Sequence, residues 1–134
     1  LKVHCDFIDD AISAPDGPDV SGFVEGNRHF HAVILAAAQS DRLAQLMKFV
    51  VSQIVVHRTA EQYSRADMEQ SQRDHRDLVS AFEMRDEDWA SAVANTHIRR
   101  AANAYRAMWQ GSPIGRWCWR TGLKGAVVNA IGAQ

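Results

Sequence analysis

The sequence predicts an all-α fold, an antiparallel bundle of about five to six helices. Three observations carry that expectation. Apolar residues recur at spacings of three, four and seven, period-two alternation is nearly absent, and capping or breaking residues separate the apolar runs. At about 100 to 200 residues per domain, a chain of 134 residues holds one core. It buries roughly two thirds of its unfolded surface and needs no metal merely to stay folded. A metal site in it would therefore serve function.

In the first helix, over residues 1–12, Leu1, Cys5, Phe7, Ile8 and Ile12 form a loose stripe that ends at Ser13-Ala14-Pro15-Asp16-Gly17-Pro18. Asp19 is a good N-cap for a second helix to about Ala38, with Phe23, Phe30, Val33, Ile34 and Ala37 inward and Gly22 and Gly26 weakening it. Ser40 caps a third, whose apolar positions Leu43, Leu46, Met47, Val50, Val51, Ile54 and Val55 form the cleanest 3.6-residue stripe in the chain. Its β-branched run could read as a strand, but the preceding periodicity decides for helix. A fourth helix fits residues 66–84, with Met68, Leu78, Val79 and Phe82 inward. A fifth fits 87–109, opened by Asp86, Glu87 and Asp88 at its positive end, with Trp89, Val93, Ile98, Ala101, Tyr105 and Met108 inward. Beyond Gly111-Ser112-Pro113 the pattern changes to Trp117, Trp119 and scattered glycines, with room for a short helix near 123–131. Residues 1–110 are expected to form the domain and 111–134 an atypical Trp- and Gly-rich tail.

Net charge is -1, with 15 Lys and Arg against 16 Asp and Glu. A pI of about 6.6 argues against a dedicated nucleic-acid module. No acid follows Asp88, while Arg99, Arg100, Arg106, Arg116, Arg120 and Lys124 do. Six cations over that length read as a solvated face or a subunit contact. Cys5 and Cys118 lie far apart without metal or redox spacing. With no apolar run of about 18 residues and no signal-peptide order at the start, a soluble cytoplasmic protein with no membrane contact is expected. The chain begins with Leu rather than Met, as a piece of a longer or processed product would.

The histidines carry the chemistry. His31 lies one turn after Asn27 on one helix face. His75 precedes Leu78, Val79 and Phe82 by three, four and seven residues, and His97 precedes Ala101 by four, so both point inward. Three imidazoles and an amide oxygen from three helices could form a first shell for a divalent first-row metal and leave coordination positions open. A lone inward histidine is more often a hydrogen-bonded core residue, so the weight rests on three together. His4, His29 and His57 read as surface or helix-flank residues. Arg58 extends the stripe of the third helix, and it either snorkels to the rim or faces the cavity, where it would need an anion.

The run Asn27-Arg28-His29-Phe30-His31 resembles the (Asp or Asn)-x-x-Phe-His helix of the FCD domain, the C-terminal effector-binding domain of FadR-type GntR transcriptional regulators. Asp74-His75-Arg76-Asp77-Leu78-Val79-Ser80-Ala81-Phe82 resembles that family's Glu-His-Arg-x-Ile-x-x-Ala-Ile stretch, and Asp86 through His97 resembles its last metal-bearing helix. The resemblance covers roughly residues 1–105. It implies an FCD-like bundle holding zinc or nickel through Asn27, His31, His75 and His97. It further implies a small organic acid bound beside the metal, with Arg58 on its carboxylate, and a homodimer. The chain departs from the pattern in three ways. Asn27 supplies a neutral oxygen where many members have Asp, and the tail after Tyr105 has no counterpart. Neither the family's first helix nor its DNA-binding winged helix-turn-helix is expected within these residues.

The function expected is that of a ligand-sensing and dimerisation domain, not an enzyme. DNA would be bound only through the winged helix-turn-helix. Two other readings compete with it: a small metal-dependent enzyme using the same three histidines and a metal-bound water, and a plain helical interaction module whose histidines are structural. An enzyme needs an acid or base beside the metal, and the sequence shows no inward Asp or Glu.

Overall fold

A computed structural model describes residues 1–50 and 53–111 of the chain. They form six helices and, among the described residues, no strand: α1 (Lys2–Ile12), α2 (Val20–Ala37), α3 (Asp41–Val50), α4 (Gln53–Ala60), α5 (Arg65–Met84) and α6 (Glu87–Gly111). The Trp-rich segment and the short helix expected near 123–131 lie outside the described residues. So do residues 51 and 52, which the single third helix expected from the sequence would cross. The chain is helical on both sides of them, and the β-branched Ile54, Val55 and Val56 are in a helix rather than a strand.

Local chemistry sets the helix ends. The loop after α1 turns at Gly17, whose φ of 108° is open to glycine at no steric cost. It closes where the Asp19 amide donates to the Ala11 carbonyl at 2.8 Å. The Asp19 carboxylate accepts from the Gly22 amide at 3.0 Å, the N-cap expected. Ser40 Oγ accepts from the Leu43 amide at 3.3 Å. Ser64 and Asp67 form a reciprocal capping box at the start of α5. That helix ends on Arg85 in the left-handed region, and Asp86 caps α6 by accepting from the Trp89 amide at 2.9 Å. A two-residue connection sends α6 back along α5, as in antiparallel hairpins.

Two apolar clusters form the interior. One joins Ile8, Ala11, Ile12, Phe23, Ala60 and Met68; the other joins Cys5, Phe30, Leu78 and Val79, with Val93 and Ala94 of α6 packed on it. Helices α1, α2 and α5 contribute to both. The stretch Ser71 to His75 of α5 lies between its contributions to the two clusters, and Ser71, Gln72, Asp74 and His75 are all buried there. Outside, Arg76 of α5 ties to Asp6 and Asp9 of α1.

Several positions expected inward are exposed. Ile98 is 61% exposed because adjacent residues on a helix point about 100° apart, and it is His97 that faces inward with Val93 and Ala94 one turn before it. Phe82 is exposed near the end of α5, and Phe7 and Val33 face solvent on α1 and α2. The stripe expected on the third helix, now divided between α3 and α4, is the clearest in the sequence, yet Leu46 is 61% exposed and Leu43 of α3 and Val55 of α4 also face solvent. α3 packs on α2, and periodicity fixes which residues share a face without supplying an element to cover it.

Gly22 and Gly26 are packing contacts rather than weak points. A Cβ on Gly26 would sit 2.5 Å from Ile8 Cγ1 and 3.0 Å from Phe7 Cδ1, so the absent side chain is what lets α2 approach α1. Ile8 is fully buried and cannot swing away. Gly26→Ala gains about 1 kcal/mol of helix propensity but overpacks the core at a cost of about 1–3 kcal/mol. Urea denaturation followed by circular dichroism is expected to show a net loss on the order of 1 kcal/mol, and an increase in stability would contradict the close contact.

Candidate metal centre

His31 from α2, His75 from α5 and His97 from α6 converge. One ligand nitrogen from each lies within 4.8 Å of the other two. Ring centroids are 5.3 Å apart for His31 and His75, 5.2 Å for His31 and His97, and 4.8 Å for His75 and His97. Phe30 lies against the His75 ring at 4.3 Å, so one side of the cluster is hydrocarbon.

Hydrogen bonds fix the orientation of the His75 ring. Gln72 Nε2 donates to the Cys5 carbonyl of α1 at 2.7 Å, which settles the orientation of its amide and leaves Oε1 toward His75. Oε1 can only accept, so His75 Nδ1, 3.2 Å away, carries the proton. The other nitrogen, Nε2, then holds a lone pair, and it is buried without a hydrogen-bond partner among the described residues. An unpartnered polar atom in a dry site costs about 1–3 kcal/mol. A cation at the cluster would satisfy it.

His97 is held on its outer side. Its Nδ1 lies 3.5 Å from Oδ2 of Asp74. Asp74 in turn accepts from Gln70 Nε2 at 3.1 Å and from Arg100 Nη1 at 2.5 Å. Asp74, 5% exposed, is the only buried carboxylate among the described residues. That corrects the expectation that no acid faces inward. Gln72 carries no signal of its own in the sequence, and Arg100 reads there only as one of six cations on a solvated face or subunit contact. The available signal was the polar stretch 71–75 set between Met68 and Leu78 on a helix whose other inward residues are apolar.

Burial keeps all three rings neutral. His31 is pushed down to about 4, first by desolvation and then by His97. Desolvation drives His75 well below the ordinary histidine range, with His97 and His31 adding to it. Desolvation also lowers His97, with Asp74 opposing. Neutral imidazoles with converging lone pairs are what zinc, copper, iron and nickel take from a protein. At the roughly 2.0–2.1 Å of a metal–imidazole bond the rings would draw together slightly, and three donors would leave positions open. The residues present therefore fit a divalent metal.

The other expected site residues are placed less closely. Asn27 is partly exposed, one turn before His31 on α2, where helical register puts it on the same face. Arg58 is exposed on α4, beside the buried Thr59. His29 and His57 lie on the surface, near Glu25 and Glu61, as expected.

The family model described as FCD domain matches residues 4–100. No curated protein and no solved structure matches the chain.

Desolvation of the imidazoles makes the metal-free fold acid-sensitive. Unfolded histidines protonate near pH 6.5, whereas His31 in the folded chain resists until about 4. Between those values the unfolded state binds more protons, so stability falls as pH drops. With chelator present, lowering pH from 7 to 5 is expected to cost about 2 kcal/mol from His31 alone. The urea midpoint reads it, and a flat profile over that range would contradict the dry cluster.

Proposed function

Since the chain belongs to the FCD-domain family, we propose that it is the ligand-sensing and dimerisation domain of a GntR/FadR-type transcriptional regulator. In this reading it binds one divalent metal, zinc or nickel, and a small carboxylate effector. The observation that carries the proposal is the convergence of three desolvated imidazoles, His75 fully buried and His31 and His97 partly so, with one His75 nitrogen unpartnered among the described residues. His31, His75 and His97 would hold the metal, with Asn27 as a fourth, neutral donor. Arg58 would take the effector's carboxylate. It is exposed on α4.

The sensor domain would span residues 1–110, with 111–134 a tail lying almost wholly outside the described residues. Effector bound to the metal would favour one arrangement of α2, α5 and α6. A homodimer would pass that preference to winged helix-turn-helix domains, the parts of such regulators that meet DNA. A regulator of this kind would work in the cytoplasm. No helix among the described residues is long and apolar enough to cross a membrane. The enzyme reading is weaker because Asp74, the one buried acid described, is already tied to Arg100 and Gln70.

The purified protein is expected to hold one metal per chain, and His75→Ala and His97→Ala are each expected to abolish it by elemental analysis. Full retention by both variants would sink the metal centre. A thermal-shift screen of small carboxylates tests the effector, since a ligand at a hundredfold its Kd adds about 2.7 kcal/mol. At least one acid is expected to raise Tm by several degrees, and Arg58→Ala to lose most of that rise. A wild type unmoved by every acid would overturn the sensor, and chelator-sensitive turnover of small esters or lactones would favour the enzyme.

A further inference from the structure

We propose that Asp74 is the positioning carboxylate of the centre, holding His97 in the tautomer that turns Nε2 toward the metal. The inference rests on the metal reading above and extends it from the ligands to the groups that aim them. A histidine ligand needs its second ring nitrogen held, because the proton must sit on the nitrogen that does not bind. His75 has Gln72 for this purpose. For His97 the group at that place is the Asp74 carboxylate, 3.5 Å from Nδ1.

An ionised carboxylate accepts and cannot donate, so it selects the Nδ1–H form of the ring and leaves the lone pair on Nε2. Asp74 is itself held. Gln70 one turn earlier on α5 donates to it at 3.1 Å, and Arg100 one turn after His97 on α6 donates at 2.5 Å. Arg100 also balances its charge, which makes a buried carboxylate tolerable here. Asp74 adjoins His75 in the chain while facing His97 across the helix pair, so one residue links two ligands on two helices.

Two simpler roles must be separated from this one. Asp74 could serve only as an anchor for Arg100, tying α5 to α6, or it could be a direct metal ligand. Asp74→Asn distinguishes them, because an amide is nearly the same size but can donate to Nδ1 and so favours the opposite tautomer. In metal-free wild type, long-range proton–nitrogen NMR is expected to show His97 as the Nδ1–H form, and in Asp74→Asn to show a large Nε2–H population. Zinc affinity, measured by chelator competition, is expected to fall about 10- to 100-fold in Asp74→Asn, and by less in Arg100→Gln, which leaves the carboxylate beside His97 Nδ1. Should Asp74→Asn not fold alone, Asp74→Asn with Arg100→Gln removes both charges and is read the same way.

Wild-type zinc affinity in Asp74→Asn, or an unchanged His97 tautomer, would overturn the proposal. So would a loss of zinc as complete as in His97→Ala, which would make Asp74 a ligand. If wild type binds no zinc, the metal reading falls while the tautomer measurement still reports on Asp74.

Discussion

His75 is completely enclosed, with Phe30 against its ring, and its Nε2 has no hydrogen-bond partner among the described residues. The rest of the centre is arranged around that constraint. A ring that cannot reach water must stay neutral, so its neighbours in the cluster cannot carry charge cheaply either. His31 and His97 are held down by the same desolvation. One ligand nitrogen from each ring then lies within 4.8 Å of the other two. Such a cluster is poorly explained as core packing, because the hydrocarbon neighbours that stabilise apolar side chains leave an imidazole nitrogen unsatisfied.

The fold delivers this arrangement through contacts remote from the rings. Gly26 lets α2 lie close to α1, and α1 presents the Cys5 carbonyl that orients Gln72. Gln72 in turn fixes His75. A substitution at α1 would therefore reach the centre through its backbone, although no α1 side chain belongs to it. The two apolar clusters flank the polar stretch of α5 that carries His75.

Much of this was legible in the sequence, for identifiable reasons. Helix boundaries followed from Asp19, Ser40, Asp86 and the Pro-Gly cluster after Ser13, all local chemistry. His75 could be read because Leu78 and Val79, one turn after it, are buried, whereas His31 reads from Asn27 one turn before it and His97 from Ala101 one turn after it. Gln72 and Asp74 escaped because Asp and Gln are mostly exposed. Partners distant in sequence make their burial tolerable, the Cys5 carbonyl 67 positions away for Gln72 and Arg100 26 positions away for Asp74. Gly26 read as a defect because its value lies in Ile8 of another helix. The α3 stripe misled in the opposite direction: its periodicity is real, but no described element covers Leu46.

Charge balance gives the centre a preference that geometry alone does not. The imidazoles are neutral, Asn27 is neutral, and Asp74 is matched by Arg100. A divalent ion would therefore add two positive charges with no buried, uncompensated side chain to offset them. At an effective dielectric near 20, a unit charge about 4 Å away interacts with each positive charge by about 4 kcal/mol. An anionic ligand would recover much of that energy, and a neutral molecule of the same shape would not. Selectivity for an organic acid would then originate in the metal's unbalanced charge. Arg58, exposed on α4, would add to that selectivity rather than create it.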